Sequence, residues 1–129
     1  MLAPFLDRLT VDELDSIPYG VVQLDLHGRV LSYNRAEADN VGVMPRPLGL
    51  HFFCDVAPSA NVPEFYGKFL EGVAEKRLDH TFSFTYSCAS MPRRVMIRQY
   101  FSARTGSVWL FVGQPDGSPF SSPCAAHAA

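Results

Sequence analysis

The sequence predicts an α+β domain, one antiparallel sheet with helices packed on one face, and three observations carry that prediction. Of 129 residues, 47% are hydrophobic and 19% charged, which supplies one compact core and excludes a disordered or collagen-like chain. Stretches of strand and helix character follow one another as two strands, several helical pieces and three strands joined by short turns. The apolar period also changes near residue 80, from three or four residues to two.

Each element has its own local reason. Thr10-Val11-Asp12-Glu13 has the capping-box pattern, in which hydroxyl and carboxylate satisfy the free amides of a first helical turn; Pro18 ends that helix. Residues 20–25 and 29–33 read as two strands of a hairpin turning at His27-Gly28. Asn34-Arg35-Ala36-Glu37 repeats the Asx-x-x-Glu signal, so a helix starts at Asn34 and fades near Asn40-Val41-Gly42. After a loop holding Pro45 and Pro47, residues 51–56 read as a single buried turn closed by Ala57-Pro58. Pro63 opens the longest helix, running to about Lys76, with Phe65, Phe69 and Val73 on one stripe and Leu70 on its flank. Residues 81–88 alternate Phe82, Phe84 and Tyr86 against Thr and Ser. Residues 94–101 alternate around Met96 and Arg98, and residues 108–112 are an apolar run after the Thr105-Gly106 turn. Beyond Gly113 the chain turns Pro-, Gly- and Ser-rich and then Ala-rich, with nothing periodic to bury, and is expected to be mobile.

Composition narrows the function classes. A net charge of -2 provides no general basic field for nucleic acid or an anionic membrane. The three cysteines, Cys54, Cys88 and Cys124, build neither a disulfide framework nor a C-x-x-C metal half-site, which predicts a reducing, cytoplasmic setting. Residues 1–10 have no basic, apolar and small-residue succession of a secretory signal, and no run approaches the roughly 18 apolar residues of a membrane span. No membrane insertion is expected.

Asp55-Val56-Ala57-Pro58, the run Pro63-Glu64-Phe65-Tyr66-Gly67-Lys68-Phe69 and Glu71-Gly72-Val73-Ala74 resemble the photoactive yellow protein family of PAS-domain blue-light receptors. Gln23-Leu24-Asp25, Tyr33-Asn34 with Ala36-Glu37, and Trp109 with Phe111-Val112 extend the resemblance over roughly residues 15–112. It implies a PAS fold with a five-stranded antiparallel sheet. The chain then divides into an N-terminal helical lead (1–14), the PAS domain (15–113) and a tail (114–129).

The family's chemistry implies p-coumaric acid held as a thioester on a cysteine just after the Asp-Val-Ala-Pro turn, a position taken here by Ser59. A thiol of pKa about 8.5 has a useful thiolate fraction near neutrality, whereas a serine needs a positioned general base, and no Ser-His-Asp constellation is legible around Ser59. The thioester cofactor is therefore disfavoured. Cys54, five residues earlier beside Phe52-Phe53, reads as a small buried hydrophobe facing the core or another wall of the cavity rather than as a substitute attachment point. Tyr33 and Glu37 match the tyrosine and glutamic acid that hydrogen-bond the chromophore phenolate in the family, and a buried, protonated Glu37 would donate there. The plainer reading has Glu37 completing a capping box with Asn34 and Tyr33 burying its ring. Val41 and Val43 stand where the family has a supporting threonine and a lidding arginine, so the cavity is expected to be more apolar and less able to stabilise an anion.

Other chemistry is weaker. His51, Cys54 and Asp55 lack a second metal half-site and read as local packing; His27, His80 and His127 form no cluster. The flavin-binding Asn-Cys-Arg-Phe-Leu run of PAS relatives is absent, and the long helix has no histidine for a haem. Arg93, Arg94, Arg98 and Arg104 read as a solvated sheet face or a docking surface. The first expectation is thus a non-enzymatic PAS signalling or scaffold module without its covalent chromophore. It would act on another signalling protein or self-associate through the sheet face around Arg98 and Tyr100. Two alternatives are a noncovalent sensor of a small aromatic ligand at Tyr33 and Glu37, and a photoreceptor with unusual attachment. Phe52, Phe53 and Phe84 filling the cavity would favour the scaffold; an open cavity would favour the ligand.

Overall fold

A computed structural model describes residues 9–41, 45–88 and 91–115. The end of the tail, Cys124, His127, Val43 and the side chains of Val41, Tyr86 and Cys88 lie outside that description.

Local signals set the element boundaries. The Thr10 hydroxyl accepts from the Glu13 amide at 3.2 Å while the Glu13 carboxylate accepts from the Thr10 amide at 2.9 Å, so the capping box opens α1 (Val11–Ser16), which ends ahead of Pro18. Strands β1 (Gly20–Leu24) and β2 (Val30–Tyr33) form a hairpin whose turn is held by Asp25 accepting from the amides of His27 and Arg29. Gly28 takes a φ of 87° there, which a side chain would resist. Asn34 caps α2 (Arg35–Val41). Beyond α3 (Lys68–Glu75) come β3 (Asp79–Cys88), β4 (Met91–Ser102) and β5 (Ser107–Gly113). The five strands lie in the order β2-β1-β5-β4-β3, every neighbouring pair antiparallel.

Alternation then sorts the strands into two faces. Val22, Leu24, Val95, Ile97, Phe101, Val108, Leu110 and Val112 point to one face and form the main core with Phe52, Phe53, Phe65 and Phe69 from the connection between β2 and β3. On the opposite face Val21 and Trp109 are covered by Leu14 and Ile17, so the N-terminal helix packs behind the sheet while the other helical pieces lie in front.

The long connection departs from a plain α-helical reading. Phe52–Val56 and Pro63–Gly67 are π-helical turns: the Ala57 amide reaches back to Phe52 O at 2.7 Å and the Gly67 amide to Val62 O at 3.3 Å. The helix expected from Pro63 therefore begins one wide turn before α3. Packing explains the widening, since Phe53 stacks on Tyr66 with centroids 4.4 Å apart and meets Phe65 edge-on at 5.2 Å. Phe65 and Phe69 are buried as the stripe predicts, but Leu70 on its flank is 51% exposed. No helix among the described residues is long and apolar enough to cross a membrane.

Candidate functional site

Between the front of the sheet and the two π-helical turns lies a cavity of about 220 Å³. Its wall is apolar, with Phe52, Val56 and Phe65 from the turns and Phe84, Val95, Ile97, Leu110 and Val112 from the sheet. Among the described residues three polar side chains belong to the lining, Tyr33, Glu37 and Ser59. The three residues singled out in the sequence thus converge on one space.

Each is positioned by its element. Tyr33 ends β2 and is 3% exposed, with its carbonyl accepting from Arg46 Nη1 at 3.2 Å. Glu37 sits in the first turn of α2 and is 6% exposed. Its backbone amide donates to Asn34 Oδ1 at 3.1 Å, which is half of a capping box. The Asn34 amide donates to Val21 O, and the Glu37 carboxyl group turns toward β1. There it lies against Gly20, where any Cβ would collide with Glu37 Oε1. A side chain at residue 20 would displace the carboxyl from the cavity. Ser59, in the short 3₁₀ turn Pro58–Ala60, is exposed and together with exposed Pro58 forms the rim.

The sequence missed two supports of this polar end. Gly20 carries no signal beyond being a glycine at a strand start. Asn34 reads as a cap, yet its side chain does more: Oδ1 also accepts from Val21 N at 2.9 Å, and Nδ2 donates to Leu14 O and Tyr19 O at 3.0 and 2.9 Å. Beside it Arg46 donates to both carboxylate oxygens of Asp15, at 2.8 and 3.0 Å, and Asp15 also accepts from the Arg35 amide. The Arg46 guanidinium holds the Asp15 carboxyl below its ordinary value of 3.8.

Two expectations about neighbouring residues change. Cys54 is not buried: it is exposed and absent from the cavity lining, because Phe52 and Phe53 take the inward positions of their turn. Of the three phenylalanines named as possible plugs, Phe52 and Phe84 line the cavity, whereas Phe53 turns away onto Tyr66, and the space stays open. His51 and Asp55 cap the turn between them, His51 Nδ1 accepting from Cys54 N at 3.2 Å and Asp55 accepting from His51 N at 3.1 Å. Among the described residues no group of three or more potential ligands is placed to hold a metal.

On the back of the sheet Arg98 makes a two-pronged pair with Asp79, at 2.8 and 2.9 Å, and lies over the rings of Tyr100 and Phe111 at 5.3 and 5.9 Å. That pairing lowers the Asp79 pKa and raises that of Arg98. Much of this arginine's hydrogen-bonding capacity is therefore engaged within its own sheet.

A five-stranded antiparallel sheet in the order β2-β1-β5-β4-β3, with a helical connection closing a cavity over one face, defines a PAS-type sensory domain. The PAS domain of the Cronobacter turicensis quorum-sensing receptor RpfR shares that fold at 15% identity and a TM-score of 0.59, with 77% of this chain and 94% of that one covered. Much nearer is the photoactive yellow protein domain of the sensor histidine kinase Ppr of Rhodospirillum centenum: 36% identity, TM-score 0.81, covering 86% of this chain and 98% of that one. The photoactive yellow protein of Rhodothalassium salexigens is 35% identical over 101 residues, 78% of this chain and 81% of the relative. The photoactive yellow protein of Halochromatium salexigens is 35% identical over 83% of this chain and 86% of its own. No family model matches. The chain belongs to the photoactive yellow protein family.

Proposed function

We propose that this chain is a non-enzymatic, cytoplasmic sensory module that holds a small neutral phenolic ligand without a covalent bond and passes on the state of its cavity through protein contacts. The observation that carries the reading is the convergence of Tyr33, Glu37 and Ser59 on an otherwise apolar cavity. At about 220 Å³ the space falls below the roughly 300 Å³ at which pockets for drug-sized ligands begin, which suits one ring with a short substituent and not a flavin or a haem.

Among the described residues the lining contains no cation, so a buried phenolate would lack a positive partner there. A ligand that keeps its phenolic proton and donates it to the carbonyl oxygen of a protonated Glu37, with the Tyr33 hydroxyl alongside, avoids that cost, because neither group then carries a buried charge. A p-coumaroyl thioester does not fit the residues present: the rim offers Ser59 in place of a thiol, the lining has no histidine among the described residues to act as its base, and Cys54 is exposed outside the lining. The open cavity is also what favours ligand binding over a role limited to scaffolding.

Thermal-shift and native mass spectrometry screens with phenols and phenolic acids test the reading. A ligand present at about a hundredfold excess over its Kd stabilises the fold by about 2.7 kcal/mol. The gain should fall sharply in Gly20→Ala, where the added methyl displaces Glu37. No shift and no bound mass with any phenol at millimolar concentration would remove ligand binding. A covalent mass increase and a visible band after treatment with activated p-coumaric acid would instead restore the photoreceptor.

A further inference from the structure

We propose that β3 pairs edge to edge with β3 of a second copy of this chain, antiparallel about a twofold axis at Ser83. The two edges of the sheet differ in kind. Along β2 the edge is occupied by the following loop: Val30 N donates to Leu50 O, Gly49 N to Val30 O and Phe52 N to Gly28 O, at 2.8 to 2.9 Å. Along β3, ten residues long, no strand lies outside among the described residues.

The sequence of that edge lacks the usual charged and proline defences. From His80 to Cys88 there is no formal charge, no proline and no glycine, and β-branched and aromatic residues dominate. The one charge, Asp79, is paired with Arg98 inside its own sheet. Backbone direction is set as well. Phe101 N donates to Leu78 O, so in the register Asp79↔Tyr100 the even-numbered residues of β3 bond to β4 and the odd-numbered ones present their N–H and C=O groups outward. Thr81, Ser83 and Thr85 are therefore the outward-bonding positions.

Self-pairing follows from the sequence around them. Thr81-Phe82-Ser83-Phe84-Thr85 reads the same in both directions. A twofold axis at Ser83 bonds Ser83 to Ser83 of the second copy and Thr81 to Thr85 of the second copy. It also sets Phe82 against Phe84 of the second copy in a non-hydrogen-bonded pair, where side chains approach most closely. Both rings then lie on the same sheet face, as they do within one copy. The contact is isologous and closes as a dimer.

Sedimentation velocity of the full chain across the micromolar to millimolar range should show a monomer–dimer equilibrium. Ser83→Lys, an exposed position whose backbone does not bond to β4, sets two like charges face to face on the axis. It should weaken association by up to about fivefold, while the dilute monomer loses only the long hydrogen bond that Arg94 donates to Ser83 Oγ at 3.4 Å and its thermal midpoint falls little. Ser83→Cys brings two thiols onto strands whose Cα atoms lie about 5.5 Å apart, so a short thiol-bridging reagent should give an 83–83 crosslink identifiable by peptide mapping. A monomer at every concentration, a dimer indifferent to Ser83→Lys, or a bridging reaction that yields no 83–83 crosslink would each overturn the proposal.

Discussion

The front and the back of the sheet are held by different physics, although β1 serves both. Val22 and Leu24 of that strand face the front and Val21 faces the back, all fully buried. In front, Phe65 touches Phe52, Phe53, Phe82 and Phe84 with ring centroids 5.1 to 5.9 Å apart, so cohesion is spread over many weak dispersion contacts. Behind, the small cluster of Leu14, Ile17, Val21 and Trp109 is fastened by a few polar groups, chiefly Asn34 and the Asp15–Arg46 pair. A distributed contact degrades gradually, whereas a concentrated one can be removed by a single substitution. The chain's one tryptophan, 2% exposed beneath α1, reports on the back alone.

The largest effect is expected in front. Phe65→Ala deletes a ring that is 1% exposed and packed against four other rings, and should cost about 3–5 kcal/mol in urea unfolding. Because the loss is to the shared core, Trp109 emission and far-UV dichroism should change together in one transition. A Trp109 change that came first would mean that the back depends on the front more than its bonding suggests.

Asn34→Ala comes next and strikes the fastening. It removes the cap on α2 and takes their Asn34 partner from Val21 N and Tyr19 O, while Leu14 O keeps its bond from the Ile17 amide, for an expected loss of about 3 kcal/mol. Asn34→Asp keeps the accepting oxygen and loses the donor, so it should fall between the two. In both, Trp109 emission should shift to the red at denaturant concentrations where the sheet is still folded. Coincident transitions would show that the two faces are not separable.

These differences also decide what could be read from the sequence. The strands and the front core were legible because alternation and the Phe65, Phe69 and Val73 stripe are local patterns, and the caps at Thr10 and Asn34 because capping spans three residues. The polar trio at the cavity was legible through family resemblance, since Tyr33 and Ser59 sit on different elements and no spacing links them. What stayed hidden was set by tertiary packing. The π-helical turns exist because Phe53 must reach Tyr66, and outward-facing Cys54 follows from Phe52 and Phe53 taking the inner positions. Asp15 and Arg46 are 31 residues apart, and nothing in either neighbourhood announces the pair.

That pair gives the smallest effect and the most selective one. Asp15, whose side chain is 12% exposed, accepts two bonds from Arg46 and one from the Arg35 amide, and Asp15→Asn should cost about 1–2 kcal/mol at neutral pH. Its pKa is lowered in the folded state, chiefly by the hydrogen bond from Arg46, so the unfolded chain binds the proton more readily. The pair's contribution is therefore complete above the unfolded value of about 3.9 and is lost as pH falls from there through the lower folded value. Wild type should lose stability over that acid window more steeply than Asp15→Asn, and the two curves should converge below it. Trp109 emission followed through an acid titration should separate the two proteins above the window and bring them together beneath it; parallel curves at every pH would mean that the clasp rests on Asn34 and apolar packing, with the ion pair contributing nothing.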